Sequence, residues 1–181
     1  MTTNKTKLNS MVIAAMLAAV MCILGPISLP IGPVPISLTN MVIFFTVTLL
    51  GCKYGTISTA IYVLIGIAGL PVFSGYSGGM AKLMGPTGGF IVGFILLAFV
   101  SGFFIDLAKG KKSVIIFGLV LGAAIDYVCG TAWFVFLTKS SVLHALAICV
   151  FPFLIGDAIK IFIAVYAGEM LKARIGTEKA A

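Results

Sequence analysis

The distribution of charge excludes a soluble fold for this chain. From Leu8 to Cys52 there is no Lys, Arg, Asp or Glu, and the same holds from Tyr54 to Ala81 and from Leu83 to Ile105. Each interval can hold one or more helices of the ~20 residues that cross a bilayer core. Only 9% of the 181 residues are charged, against about 25% in a soluble domain, and the mean hydropathy is +1.22. The chain is therefore read as an integral membrane protein whose outer surface meets lipid.

The breaks between apolar runs place six spans, at about 8–24, 38–52, 55–70, 86–107, 114–138 and 152–172. The expected fold is a single all-α, six-helix membrane bundle over 1–181, with a long extracellular loop between the third and fourth helices. Lys5 and Lys7 precede an apolar run that ends at Gly25-Pro26 without a cleavage site, so the run reads as a retained span and not a signal peptide. Too few residues lie before the first span or after the last to make a soluble domain. Spans 2 and 3 are short, and Lys53-Tyr54 is expected as the tight turn between them.

The net charge of +7 would suggest nucleic acid in a soluble protein, but here the cations sit at span ends. With six spans, Lys5, Lys7, Lys53, Lys109, Lys111, Lys112, Lys172, Arg174 and Lys179 share one side, and Lys82 and Lys139 share the other. The positive-inside rule then puts both termini in the cytoplasm. The setting expected is the plasma membrane of a prokaryote.

Two irregular segments fall on the outer side. Residues 25–37 carry four prolines, which remove backbone donors and disfavour helix, so the segment is expected as an apolar loop. Residues 70–89 contain six glycines and two prolines, and a loop of this length in a compact protein is usually functional.

Beneath these loops lies the most costly feature of the chain. Asp157 and Lys160 sit three residues apart, on one face of a helix opened by Pro152. Charges at membrane depth mark a functional site by default. On span 5, Tyr127, Gly130 and Trp133 share a face, which is either a slot suited to a ring or a packing surface. Asp126 beside them either belongs to the site or pairs with Lys160. On span 1, Ala14, Ala15, Ala18 and Ala19 form two overlapping small-residue pairs, which serve either internal packing or the close approach of a partner helix.

The chemistry expected is recognition and not reaction. The chain has no Ser/His/Asp set, no HExxH and no GxxxxGK[ST], so neither a catalytic centre nor an ATPase of its own is expected. His144 is alone near a span end. Cys22, Cys52, Cys129 and Cys149 have no metal-ligand spacing and read as small buried apolar groups. No cofactor or metal is expected.

Pro33-Val34-Pro35-Ile36-Ser37-Leu38, Gly69-Leu70-Pro71-Val72-Phe73, Gly85-Pro86-Thr87-Gly88-Gly89, the Tyr127/Gly130/Trp133 spacing and Pro152-Phe153-Leu154-Ile155-Gly156-Asp157 with Lys160 together resemble the BioY family. Members are biotin-specific substrate-capture (S) components of energy-coupling factor (ECF) transporters. The resemblance implies biotin capture from outside under a lid formed by the loop between spans 3 and 4. It also implies a membrane coupling subunit, met through Ala14, Ala15, Ala18 and Ala19, and two ATP-binding-cassette ATPases. It assigns Asp157 and Lys160 as polar contacts to biotin and Tyr127 and Trp133 near its rings; Phe73, Ser74, Gly85 and Thr87 are further candidate substrate-binding residues. Thr39 and Asn40 stand where the family pattern leads one to expect a glutamine, and either could replace its contact. Lys82 either attracts the valerate carboxylate or is a solvated loop charge. Asp126 is not explained by the motif. Other readings are an S component for thiamine or riboflavin, a membrane-embedded enzyme, or a non-transport subunit in which Asp157 and Lys160 only join helices.

Overall fold

The computed structural model describes residues 2–30 and 34–175. Pro33 and Lys179 lie outside the described residues, as do the side chains of Lys5 and Arg174. Helix α1 (Thr2–Leu24) is followed by strands β1 (Ser28–Leu29) and β2 (Ile36–Ser37). The remaining helices are α2 (Thr39–Ile67), α3 (Met80–Leu83), α4 (Gly88–Leu107), α5 (Lys112–Thr138), α6 (Val142–Cys149) and α7 (Phe151–Ile175). Among the described residues, five helices are long and apolar enough to cross a membrane, counting α6 and α7 as one stretch. The protein is a multi-pass, mostly helical membrane protein.

Where two spans were expected at 38–52 and 55–70, α2 consists of two helical legs that meet at the non-helical Gly51. Its axis reverses, and the reversal lies at Gly51, not at Lys53-Tyr54, which is helical. Gly51 has φ 70° and ψ −165°, a region open essentially to glycine alone. A Cβ on Gly55 would stand 2.9 Å from Val47 Cγ1, whereas residues eight apart on a straight helix are separated by about 12 Å. The two legs of α2 therefore pack on each other. The carboxylate of Asp106 on α4 closes the reversal by accepting from the Cys52 N–H at 3.1 Å, a free donor at the start of the second leg. A Cβ at Gly51 would overlap that carboxylate. Gly51→Ala is expected to destabilise the fold by about 1–3 kcal/mol, read as a lower midpoint of thermal unfolding in detergent; an unchanged midpoint would remove the strain argument.

The proline segment is a loop with a small addition. Ser28 pairs with Ser37 and Leu29 with Ile36 in an antiparallel ladder, which Pro30 and Pro35 flank without occupying a paired position. The long loop is held to it, because the Gly75 N–H donates to the Pro26 carbonyl at 3.0 Å.

Helix α4 packs most extensively, against α5 and α2, and α1 and α7 add further packing on α2. Glycines permit these close approaches: a Cβ on Gly102 would meet Cys52, and one on Gly118 would meet Phe104. The alanine stripe of α1 splits between two faces. Ala14 and Ala18 are buried against α2, whose Ser58 hydroxyl donates to the Ala14 carbonyl at 2.8 Å. Ala15 and Ala19 are exposed.

Candidate functional site

A pocket lies at the end of the bundle covered by the strands and the long loop, lined from above by Val34, Pro35, Phe73, Ser74 and Thr87. Its polar floor is built from four elements. Asp157 on α7 accepts from Lys160 Nζ at Oδ1 (2.8 Å), and at Oδ2 from the Tyr127 hydroxyl of α5 (2.6 Å) and the Asn40 amide of α2 (3.3 Å). Lys160 Nζ also donates to the Ser37 carbonyl of β2 at 2.9 Å. An ammonium has three donors, so one remains free in a residue that lines the cavity.

Of the candidate site residues, Thr39, Asn40, Phe73, Ser74, Thr87, Asp126, Tyr127 and Lys160 line the cavity, and Asp157, Gly85 and Trp133 do not. Asp157 stands behind the wall, 3% exposed, and holds three side chains in place. The slot expected between Tyr127 and Trp133 is filled. A Cβ on Gly130 would run into the Phe90 ring of α4, and Trp133 lies over Gly88 and Gly89. Trp133 Nε1 donates to the Gly85 carbonyl at 2.9 Å, so the indole ties α5 to the end of the long loop instead of facing the cavity. Lys82 is half-buried on α3, does not line the cavity, and burial holds its ammonium below the usual lysine range.

The pairing of Asp126 with Lys160 is not formed. Lys160 bonds Asp157 and Ser37, and both Asp126 oxygens are buried without a hydrogen-bond partner. The Thr87 hydroxyl, at the start of α4, is likewise buried and unpartnered.

The walls include several residues not among the sequence-based candidates: Tyr62, Phe90, Ile91, Phe94 and Phe153, with Val34, Pro35 and Ser37 of the proline segment. Phe90 directly follows the Gly85–Gly89 motif, and Phe153 lies within the motif that runs from Pro152 to Asp157. Tyr62, a phenol inside an uncharged span, was a signal that could have been read; its hydroxyl donates to the Val72 carbonyl at 3.1 Å and anchors the long loop.

The fold and cavity define a class: a multi-pass helical membrane protein that encloses a small-molecule site between its helices and two covering loops. The BioY family model matches residues 1–177, and the chain belongs to the BioY family. It is 37% identical over 167 residues to the "Biotin transporter BioY" of Thermotoga maritima, covering 91% of this chain and 96% of that protein. It is 34% identical to the "Probable biotin transporter BioY" of Pyrococcus horikoshii, covering 92% and 98%. A crystal structure of the S-component for biotin from an ECF-type ABC transporter superposes with a TM-score of 0.87 at 32% identity, covering 94% of each chain.

Proposed function

We propose that the chain captures biotin at the outer face of the membrane and delivers it inward as the S component of an ECF importer. The observation that carries this reading is the cavity. It joins a polar floor, with a free Lys160 donor and the Asn40 and Asp126 side chains, to apolar and aromatic walls from Tyr62, Phe73, Phe90, Phe94 and Phe153. Biotin has the matching division, with a urea and a carboxylate separated by a fused ring and an alkyl chain. A buried polar site of this kind rejects ligands that leave its groups unpaired. Biotin is the cargo here and not a cofactor.

Counting the two legs of α2 separately gives six crossings and puts both termini on the cytoplasmic, cation-rich side. The strands and the long loop then cover the cavity from outside. A coupling subunit and two ATP-binding-cassette ATPases would supply the energy, with the exposed Ala15 and Ala19 as the docking stripe and Ala14 and Ala18 holding α1 to the rest of the bundle.

Titration of the detergent-purified chain with biotin, thiamine and riboflavin tests the reading. One biotin per chain, undisplaced by the other two vitamins, is expected; no biotin binding, or preference for another vitamin, would discard it. Leucine at both Ala15 and Ala19 should leave binding unchanged and, by blocking close helix approach, abolish biotin uptake in cells that carry the coupling module. Normal uptake would move the docking surface elsewhere.

A further inference from the structure

Asp157, expected to accept from ligand N–H groups, already accepts three hydrogen bonds from within the protein. Its Oδ1 holds Lys160, its Oδ2 holds both Tyr127 and Asn40, and the residue does not border the cavity. Asp126 is its opposite in each respect. It is fully buried, borders the cavity and has two oxygens with no partner. Gly93 of α4 packs close against its carboxyl group, where a Cβ would overlap it. The Tyr127 hydroxyl goes to Asp157, as does one of the two Asn40 amide hydrogens, and the second Asn40 N–H makes no hydrogen bond to Asp126.

A buried acceptor without a partner is stable only if something else offsets it, and a ligand entering the cavity can bring the missing donor. That donor must be an N–H or O–H. We propose that Asp126 is a further ligand-contacting, specificity-determining residue that accepts a hydrogen bond from a ring N–H of the bound ligand. Resting on the biotin reading, this assigns Asp126 to one urea N–H of biotin, with the free Lys160 donor available to the urea oxygen. The carboxylate end is then directed away from the floor, toward the unpartnered Thr87 hydroxyl.

The test compares wild type, Asp126→Val and Asp126→Asn against biotin and against biotin methylated at either urea nitrogen. Asp126→Val matches the side chain in size and removes its acceptors, whereas Asp126→Asn keeps one. Asp126→Val should bind biotin about 10–100-fold more weakly than wild type, the usual effect of leaving a buried donor without its acceptor. Asp126→Asn should recover part of the loss. For one of the two methylated ligands, wild type and Asp126→Val should bind equally, because the contact is already gone. The empty Asp126→Val protein should also melt at a higher temperature, since it no longer buries an unpaired carboxyl. Biotin binding by both variants that equals wild type would overturn the assignment and leave the biotin reading standing. A loss for Asp126→Val that persists with both methylated ligands would also overturn it, since the effect would then not pass through an N–H. Failure of wild type to bind biotin would overturn both.

Discussion

Asp157→Ala is expected to cost the fold more than any other single change around the cavity. It removes one side chain and orphans three donors at once: Lys160 Nζ, the Tyr127 hydroxyl and the Asn40 amide. Breaking a buried ion pair from one side costs about 3–5 kcal/mol, because the remaining charge is left without compensation. Tyr127 and Asn40 add to this as buried donors without acceptors. Lys160→Met should differ in kind. Asp157 keeps its two neutral donors, and the methionine stem fills the space of the lysine stem, so the melting temperature should fall less. Biotin affinity should still fall by about 10–100-fold, because the free ammonium donor to the ligand has gone. Asp157→Asn keeps an acceptor but loses the charge, and its melting point should lie between those of wild type and Asp157→Ala. Thermal unfolding and biotin titration on the same preparations separate the two roles. Equal melting points for wild type and Asp157→Ala would refute the placement of Asp157 as the shared acceptor. Wild-type affinity in Lys160→Met would refute the ligand contact.

The difference between these two residues shows how far the sequence could be read. Two charges in a greasy run announce a site, and three-residue spacing puts them on one face. Spacing says nothing about depth. Lys160 has a long stem that carries its charge to the cavity, while the short Asp157 side chain ends behind the wall. The same limit applied on α5, where Tyr127, Gly130 and Trp133 do share a face. What covers that face is the Phe90 ring of α4, and no periodicity within α5 could reveal it. The alanines of α1 illustrate it again, since adjacent pairs point about 100° apart on a helix, and only the position of α2 decides that Ala14 and Ala18 are inside. The reversal in α2 was legible as an event but misplaced. Lys53 drew attention as a cation at a span end, whereas the backbone turns at Gly51, which alone there can adopt φ 70°. Asp106 was passed over for the opposite reason, because a carboxylate at the end of an apolar run looks like an ordinary solvated terminus. Its function as a cap exists only once α4 lies beside the reversal.

Phe73→Ala should convert a slowly dissociating site into a rapidly exchanging one. Phe73 is the point where the long loop meets the bundle. Its ring is 1% exposed, lies directly on Gly66, packs edge-on against Tyr62 at a centroid distance of 5.7 Å and borders the cavity. The backbone around it is fixed by the Phe73–Ser77 bridge and by the Gly79 N–H donating to the Gly66 carbonyl at 2.7 Å. Truncating a buried phenylalanine costs about 3–5 kcal/mol, and here the loss falls on the loop, because the ring is its main apolar anchor. The helices beneath keep their own packing, so the global melting point should fall less than this figure would suggest. Changes within one site act mostly on dissociation, so the biotin off-rate should rise by about two orders of magnitude, the kinetic equivalent of roughly 3 kcal/mol, with little change in the on-rate. Gly66→Ala supplies the control from the other side of the contact. A methyl group there must displace the same ring while leaving Phe73 in the sequence, and it should reproduce the fast dissociation. Phe73→Leu, which still fills the space over Gly66 in part, should lie between them. If stopped-flow chase with unlabelled biotin gives wild-type dissociation for both Phe73→Ala and Gly66→Ala, the loop does not control exit, and the ligand must leave between the helices.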